Sequence, residues 1–132
     1  MPSAATDDDR LYARLGGSDG LQALAARFYA WMERLPEAAA VHAMHRQPIP
    51  EVQARLAHFL SGFFGGPDLY RPRYGEPMMR RRHLPFAIGP AERDAWLACM
   101  RLALDDCVPD PALRAEAYAQ LARFAEHMRN RA

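Results

Sequence analysis

At 132 residues and 14.9 kDa the chain holds one domain's worth of sequence, enough to bury about two-thirds of its unfolded surface around a single core. Half the residues are apolar, a quarter are charged, and 17 basic side chains against 16 acidic leave a net +1; that near-balance excludes a protein that grips nucleic acid through its phosphates, which needs a large positive field. No apolar run approaches the roughly 20 residues that span a bilayer, Met1 to Arg10 is acidic with no signal-peptide stretch, and Cys99 and Cys107 are too few for a disulfide framework, so the expectation is a cytoplasmic protein with no membrane or nucleic-acid partner.

The predicted elements all have helical spacing. Residues 1–8 read as a flexible extension, in which Thr6 or Asp7 can cap a short first helix that runs to about Leu15 and stops at Gly16-Gly17. Ser18 caps a second helix, where Leu21, Leu24, Ala25, Phe28 and Met32 form one apolar stripe. Leu35-Pro36 ends it, and a short helical piece covers Glu37 to Met44. Pro50 suits the first turn of the next helix, which carries Val52, Leu56, Phe59, Leu60 and Phe63 on one face and stops at Gly65-Gly66-Pro67. Asp68 to about Pro77 reads as a long irregular segment. Loops of that length in a small domain are commonly functional or disordered, and Tyr70 and Tyr74 argue against disorder. Met78 to His83 is a short helix ended by Pro85. Gly89-Pro90 opens a helix with Trp96, Leu97, Met100, Leu104 and Cys107 in line. Asp110-Pro111 opens the last, with Leu113, Ala117, Leu121, Phe124 and Met128 in register. Nothing alternates with period two over a strand's length, so the prediction is a single all-α domain over residues 1–132.

The common enzyme constellations are missing. There is no His-Glu-x-x-His helix and no Cys-x-x-Cys pair. Cys99 and Cys107 lie too far apart along one helix to share a metal, and no Gly-x-Ser-x-Gly elbow occurs. Among the histidines His42, His45, His58, His83 and His127, His83 stands out. It ends a short helix between Arg80-Arg81-Arg82 and Leu84-Pro85-Phe86. Such a residue is either a capping group in a solvated basic turn or the axial ligand of a haem iron, with arginines reaching the propionates. Three consecutive arginines spread around a helix, so at least one faces solvent. Tyr29 and Trp96, on apolar helices, are either core aromatics bonded to backbone or donors offered to a bound diatomic ligand.

From Leu11 to about Met128 the sequence resembles the truncated haemoglobins, the second of that family's three groups. The matching pieces are Leu15-Gly16-Gly17, Arg27-Phe28-Tyr29, and Phe59-Leu60-Ser61-Gly62 leading into Gly65-Gly66-Pro67. The most specific is Arg82-His83-Leu84-Pro85-Phe86-Ala87-Ile88-Gly89, continuing through Glu92-Arg93-Asp94-Ala95-Trp96-Leu97 and Cys99-Met100. The resemblance implies a shortened globin, with two antiparallel helix pairs stacked two over two around haem b. Without a Cys-x-x-Cys-His run the haem is expected to be noncovalent. It implies His83 as the proximal iron ligand and Tyr29 and Trp96 on the distal side. His45 is the implied third distal polar residue, with His42 as the alternative. Val52 stands where many globins have a distal His, and Leu56 and Phe59 line the same wall. Arg82, Arg80, Arg55 and Tyr70 are the implied propionate partners, with Phe86 and Met100 as further haem contacts. Two stretches depart from the pattern: Gly75-Glu76-Pro77 replaces Gly-His-Pro, with Glu76 expected on the surface, and Arg46-Gln47 separate His45 from Pro48.

The implied function is reversible binding of O2, NO or CO at a haem iron, by a monomer or homodimer. Trp96 can only donate a hydrogen bond and Tyr29 can donate one. A bond to a charged acceptor contributes about 1.5–3 kcal/mol, so two would slow oxygen release by orders of magnitude at tenfold per ~1.4 kcal/mol. Slow release suits chemistry on reactive nitrogen and oxygen species, of nitric oxide dioxygenase or peroxidase type, served by a separate reductase. The rival readings are a gas sensor or oxygen-delivery module acting through a partner, and a haemless helical interaction protein.

Overall fold

The computed structural model describes residues 9–132; Thr6, Asp7 and the rest of the predicted extension lie outside the described residues. Within them the chain is helical and contains no strand. The elements are α1 (Leu11–Arg14), α2 (Gly17–Arg34), a 3₁₀ turn (Pro36–Ala38), α3 (Ala39–Ala43), α4 (Ile49–Phe63), α5 (Arg71–Tyr74), α6 (Met79–His83), α7 (Pro90–Cys107) and α8 (Pro111–His127).

The helix ends follow local chemistry, with two corrections. Ser18 does not cap α2. Gly16 occupies that position in the left-handed region at φ 100, and the Ser18 hydroxyl accepts from Gln22 instead, at 3.3 Å. The α1–α2 corner is tight enough that a Cβ on Gly20 would lie 2.0 Å from the Leu15 carbonyl oxygen, so only glycine fits. The second correction concerns Asp68–Pro77, which is not wholly irregular. Asp68 Oδ1 accepts from the backbone N–H groups of Tyr70 (3.2 Å) and Arg71 (3.1 Å), and with Pro72 in the first turn this starts the single turn α5. The helix starts predicted at Gly89-Pro90 and Asp110-Pro111 are found, and side chains satisfy their first N–H groups. Glu92 accepts from the Gly89 N–H at 2.8 Å and Asp110 from the Ala112 N–H at 3.0 Å.

Helix α2 packs on α4 and α7, and α7 packs on α8, giving a sandwich of four long helices. The predicted stripes meet at its centre, where Leu21, Leu24, Phe28, Met32, Leu60, Met100, Leu104 and Leu121 are fully buried. Burial of each such side chain contributes about 1.5–3 kcal/mol. At the edge, Asp106 of α7 accepts from the Trp31 indole (2.7 Å) and from Arg27 (2.9 Å), both on α2. Those bonds, the Trp31 one foremost, hold the Asp106 carboxyl below the usual carboxylate range. Helices α5 and α6 contribute no buried residue. They stand beside the core rather than in it, and a cavity remains between.

Candidate functional site

The cavity has a volume of about 450 Å³, within the roughly 300–1,000 Å³ of small-molecule and cofactor sites. The structure brings Tyr29, His45, Val52, Leu56, Phe59, Trp96, His83, Arg55, Tyr70, Arg82 and Phe86 to its wall. Three predicted residues lie elsewhere. Met100 is fully buried in the core, one turn beyond Trp96. Arg80 is exposed on the outside of α6, and His42, the alternative to His45, is not part of the wall. Glu76 is on the surface as expected, paired with Arg71 at 3.0 Å.

His83 sits at the C-terminal end of α6, and its Nδ1 is 2.6 Å from the Met79 carbonyl oxygen. A carbonyl can only accept, so Nδ1 carries the proton and Nε2 is left with a free lone pair. The chain's single asparagine, Asn130, fixes the turn that follows. Its Nδ2 donates to the carbonyls of His83 (3.2 Å) and Phe86 (2.9 Å), and its Oδ1 accepts from the Ile88 N–H at 2.9 Å. Nothing in the spacing of the sequence marks this role; the signal available was one amide residue next to a C-terminus, at no helical register. Arg82 braces the other side, donating to the carbonyls of Pro77 (2.6 Å) and Glu76 (2.9 Å). Among the described residues no three His, Cys, Asp or Glu side chains converge on a metal-sized site. A metal at His83 would have to bring its other ligands with it.

Polar hydrogens elsewhere in the cavity lack partners. The buried hydroxyl of Tyr70 has none, and the Trp96 indole N–H makes no hydrogen bond among the described residues. Trp96 is held edge-on to Phe28 at 5.2 Å and tilted against Phe124 at 6.1 Å. Tyr29 differs. Its hydroxyl lies 3.5 Å from His45 Nε2, and burial raises its pKa. His45 Nδ1 is 3.1 Å from the Val41 carbonyl and 3.2 Å from that of His42, so Nε2 is again the acceptor and Tyr29 donates to it, at the outer limit of a hydrogen bond.

Among the described residues, two guanidinium groups reach the cavity with neither an ion pair nor a hydrogen bond: Arg55 lies over the Tyr74 ring at 4.7 Å and Arg46 over Phe86 at 5.2 Å. Arg46 was not among the predicted residues; it comes from the insertion after His45 that departs from the family pattern. Arg93 also lines the wall, but Glu126 and Asp94 engage it.

Burial lowers the His45 pKa, against the opposing pull of the two carbonyls. A lowered folded value means the native state resists a proton that the unfolded chain accepts near pH 6.5. The stability His45 contributes is therefore complete above about pH 6.5 and is lost as the pH falls through its folded pKa. A melting series from about pH 7 to pH 5 is expected to slope downward, and His45→Asn to flatten it. An unaltered slope in the variant would assign the dependence to other groups.

Residues 10–130 match the bacterial-like globin family. The chain is 34% identical to the group 2 truncated hemoglobin YjbI of Bacillus subtilis, over 86% of this chain and 84% of that one. The chain is a group II truncated haemoglobin of the bacterial-like globin family. Solved structures agree. The group II 2-on-2 hemoglobin of Agrobacterium tumefaciens is 41% identical with a TM-score of 0.88, each chain covered in full. The truncated oxygen-avid haemoglobin of Bacillus subtilis is 32% identical with a TM-score of 0.82, over 92% of this chain and 99% of that one. Membership implies haem as the cofactor and haem-based gas binding as the function of this globin. No helix among the described residues is long and apolar enough to cross a membrane.

Proposed function

We propose that this globin holds haem b noncovalently on His83, binds O2, NO and CO, releases O2 slowly, and carries out redox chemistry on reactive nitrogen or oxygen species with a separate reductase. When bound, the haem supplies an iron that takes up a diatomic gas and changes between ferrous and ferric states. The observation that carries the reading is the His83 tautomer. A histidine that ligates a metal almost always donates its second ring N–H to a carbonyl or carboxylate, which fixes the ring and raises its basicity, and the Met79 carbonyl stands in that position.

The residues present fit the group. The partnerless Tyr70 hydroxyl has an acceptor to find, and a propionate would supply it. Arg55 and Arg46, stacked on rings and free of acids, can swing to a carboxylate with a charge-assisted bond. Arg82 has most of its donors on backbone carbonyls, so its first task is to hold the 74–77 loop. Neither cysteine lines the cavity, and burial pushes the Cys99 thiol up to about 11, so no thiolate is at hand for a covalent tie.

On the gas side the donors are unequal. Neutral His45 accepts a long hydrogen bond from the Tyr29 hydroxyl, whereas the Trp96 N–H is unengaged among the described residues. Trp96 therefore becomes the principal donor to a gas that gains negative charge, with Tyr29 and His45 a second, hydrogen-bonded pair. Val52 at the usual gate position cannot donate. The oxygen avidity in the name of the Bacillus subtilis relative supports slow release here.

The test has two steps. The purified protein should show a Soret band; its absence would remove the haem reading. Protein equilibrated with oxygen and mixed with nitric oxide in stopped flow should consume it to nitrate and turn over when a reductant is supplied. Consumption no faster than in buffer would sink the redox part and leave gas binding alone.

A further inference from the structure

The segment from Met78 to Leu84 combines features that neither the core nor the cavity uses. Met78 and Leu84 are the large hydrophobic side chains left exposed among the described residues, each at 52%. They flank α6 at both ends. Arg81 lies three residues and Arg80 four residues before Leu84, so both neighbour Leu84 on the helix surface, with Met78 at the turn that opens the helix. Arg80 and Arg81 are exposed and have no hydrogen bond or ion pair among the described residues, whereas Arg82 and His83 of the same turn are tied to carbonyls. Met78 holds a left-handed φ of 41, unusual for a residue with a side chain.

We propose that this surface is the docking site for a small acidic electron-carrier protein. An apolar centre beside uncommitted arginines is the composition of a protein–protein interface, where Met and Arg are enriched. Charge complementarity then selects an acidic partner and steers its approach. The surface also fits such a partner better than the other polyanions. It presents no exposed aromatic for base stacking. Its helix, at five residues, is far shorter than the amphipathic helices that lie in a lipid interface. Docking here puts the partner against the helix that carries His83. The carrier's reduced centre gives up one electron, which returns ferric haem to the ferrous form, and no atom is transferred. The proposal rests on the haem reading above and supplies the reductase it calls for with a place to bind.

Calorimetric titration of the haem-loaded protein at physiological salt tests it, with an acidic [2Fe–2S] ferredoxin and an acidic flavodoxin as probes. At least one should bind saturably and more weakly as salt rises. The double substitution Arg80→Glu, Arg81→Glu should weaken that binding by about tenfold or more and slow haem reduction in proportion. Leu84→Ser should weaken it less. Haem content, the Soret band and gas release should stay as in the wild type, because these residues lie outside the cavity. A missing Soret band would instead be the failure of the haem reading, visible before any titration. Absence of saturable binding by both probes, or equal affinity in the double variant, overturns the proposal. So does tighter capture by anionic lipid vesicles or duplex DNA than by either carrier. Self-association abolished by the same substitutions also overturns it, assigning the surface to a second copy.

Discussion

His83→Ala is expected to yield a folded helical protein that cannot keep haem. The His83 Nε2 has its lone pair left free by the tautomer that the Met79 carbonyl fixes, and on the proposed reading the substitution removes the chain's bond to the iron. Loss of a partner one step removed from a metal costs 10–100-fold in affinity, so loss of the ligand itself should cost more than about 100-fold. The fold should survive, because α6 buries nothing in the core and the four long helices keep their contacts. Added imidazole should restore part of the haem uptake by refilling the space. His58→Ala and His127→Ala are the controls. His58 bonds the Tyr74 hydroxyl at 2.9 Å and lies outside the cavity wall, and His127 is exposed; both variants should retain haem. Full occupancy and an unshifted Soret band in His83→Ala would show that another residue ligates the iron.

Why His83 could be found in the sequence while Asn130 could not is a matter of range. Helix starts and stops are written locally. Pro50, Pro90 and Pro111 each stand in the first turn of a long helix, and Asp110 caps one, so the long helices and their apolar stripes were readable by period. The run Arg80-Arg81-Arg82 shows the limit. Three adjacent side chains on a short helix point in three directions, and only the packing of the 74–77 loop decides which turns inward. That residue is Arg82, which reaches the cavity wall and the loop carbonyls though all three arginines are exposed; Arg80 and Arg81 bond to nothing among the described residues. Met100 illustrates the same limit on a long helix, where periodicity places it in line with Trp96 but the line curves from cavity wall to core within one turn. The choice between His45 and His42 needed the carbonyl geometry at the end of α3. The start of α5, by contrast, was legible in principle: Asp68 followed by Pro72 is a capping signal that a long-loop reading overlooks. The site itself was reached through family resemblance, since composition and spacing alone gave a helical domain with an odd histidine.

Trp96→Phe should speed oxygen release by about tenfold to a hundredfold while leaving carbon monoxide release less affected. An indole N–H donates and cannot accept, so it favours a gas that gains negative charge, and oxygen does so more than carbon monoxide. A hydrogen bond to a charged acceptor contributes about 1.5–3 kcal/mol, which sets the size of the change. The competing account makes Trp96 a volume-filling member of the Phe28–Trp96–Phe124 stack. Phenylalanine keeps most of that contact and removes the donor, so a packing role predicts a lower melting temperature and similar, small changes for both gases. The structure is compatible with the first account, because Trp96 lines the cavity and its indole N–H makes no hydrogen bond among the described residues. Tyr29→Phe is the internal comparison. With its hydroxyl shared with His45 at 3.5 Å, Tyr29 has less to give the gas, so its loss should raise the oxygen off-rate by a smaller factor than the loss of Trp96. A larger effect from Tyr29→Phe would mean that the hydroxyl turns away from His45 once a gas is present, and would exchange the ranks of the two donors.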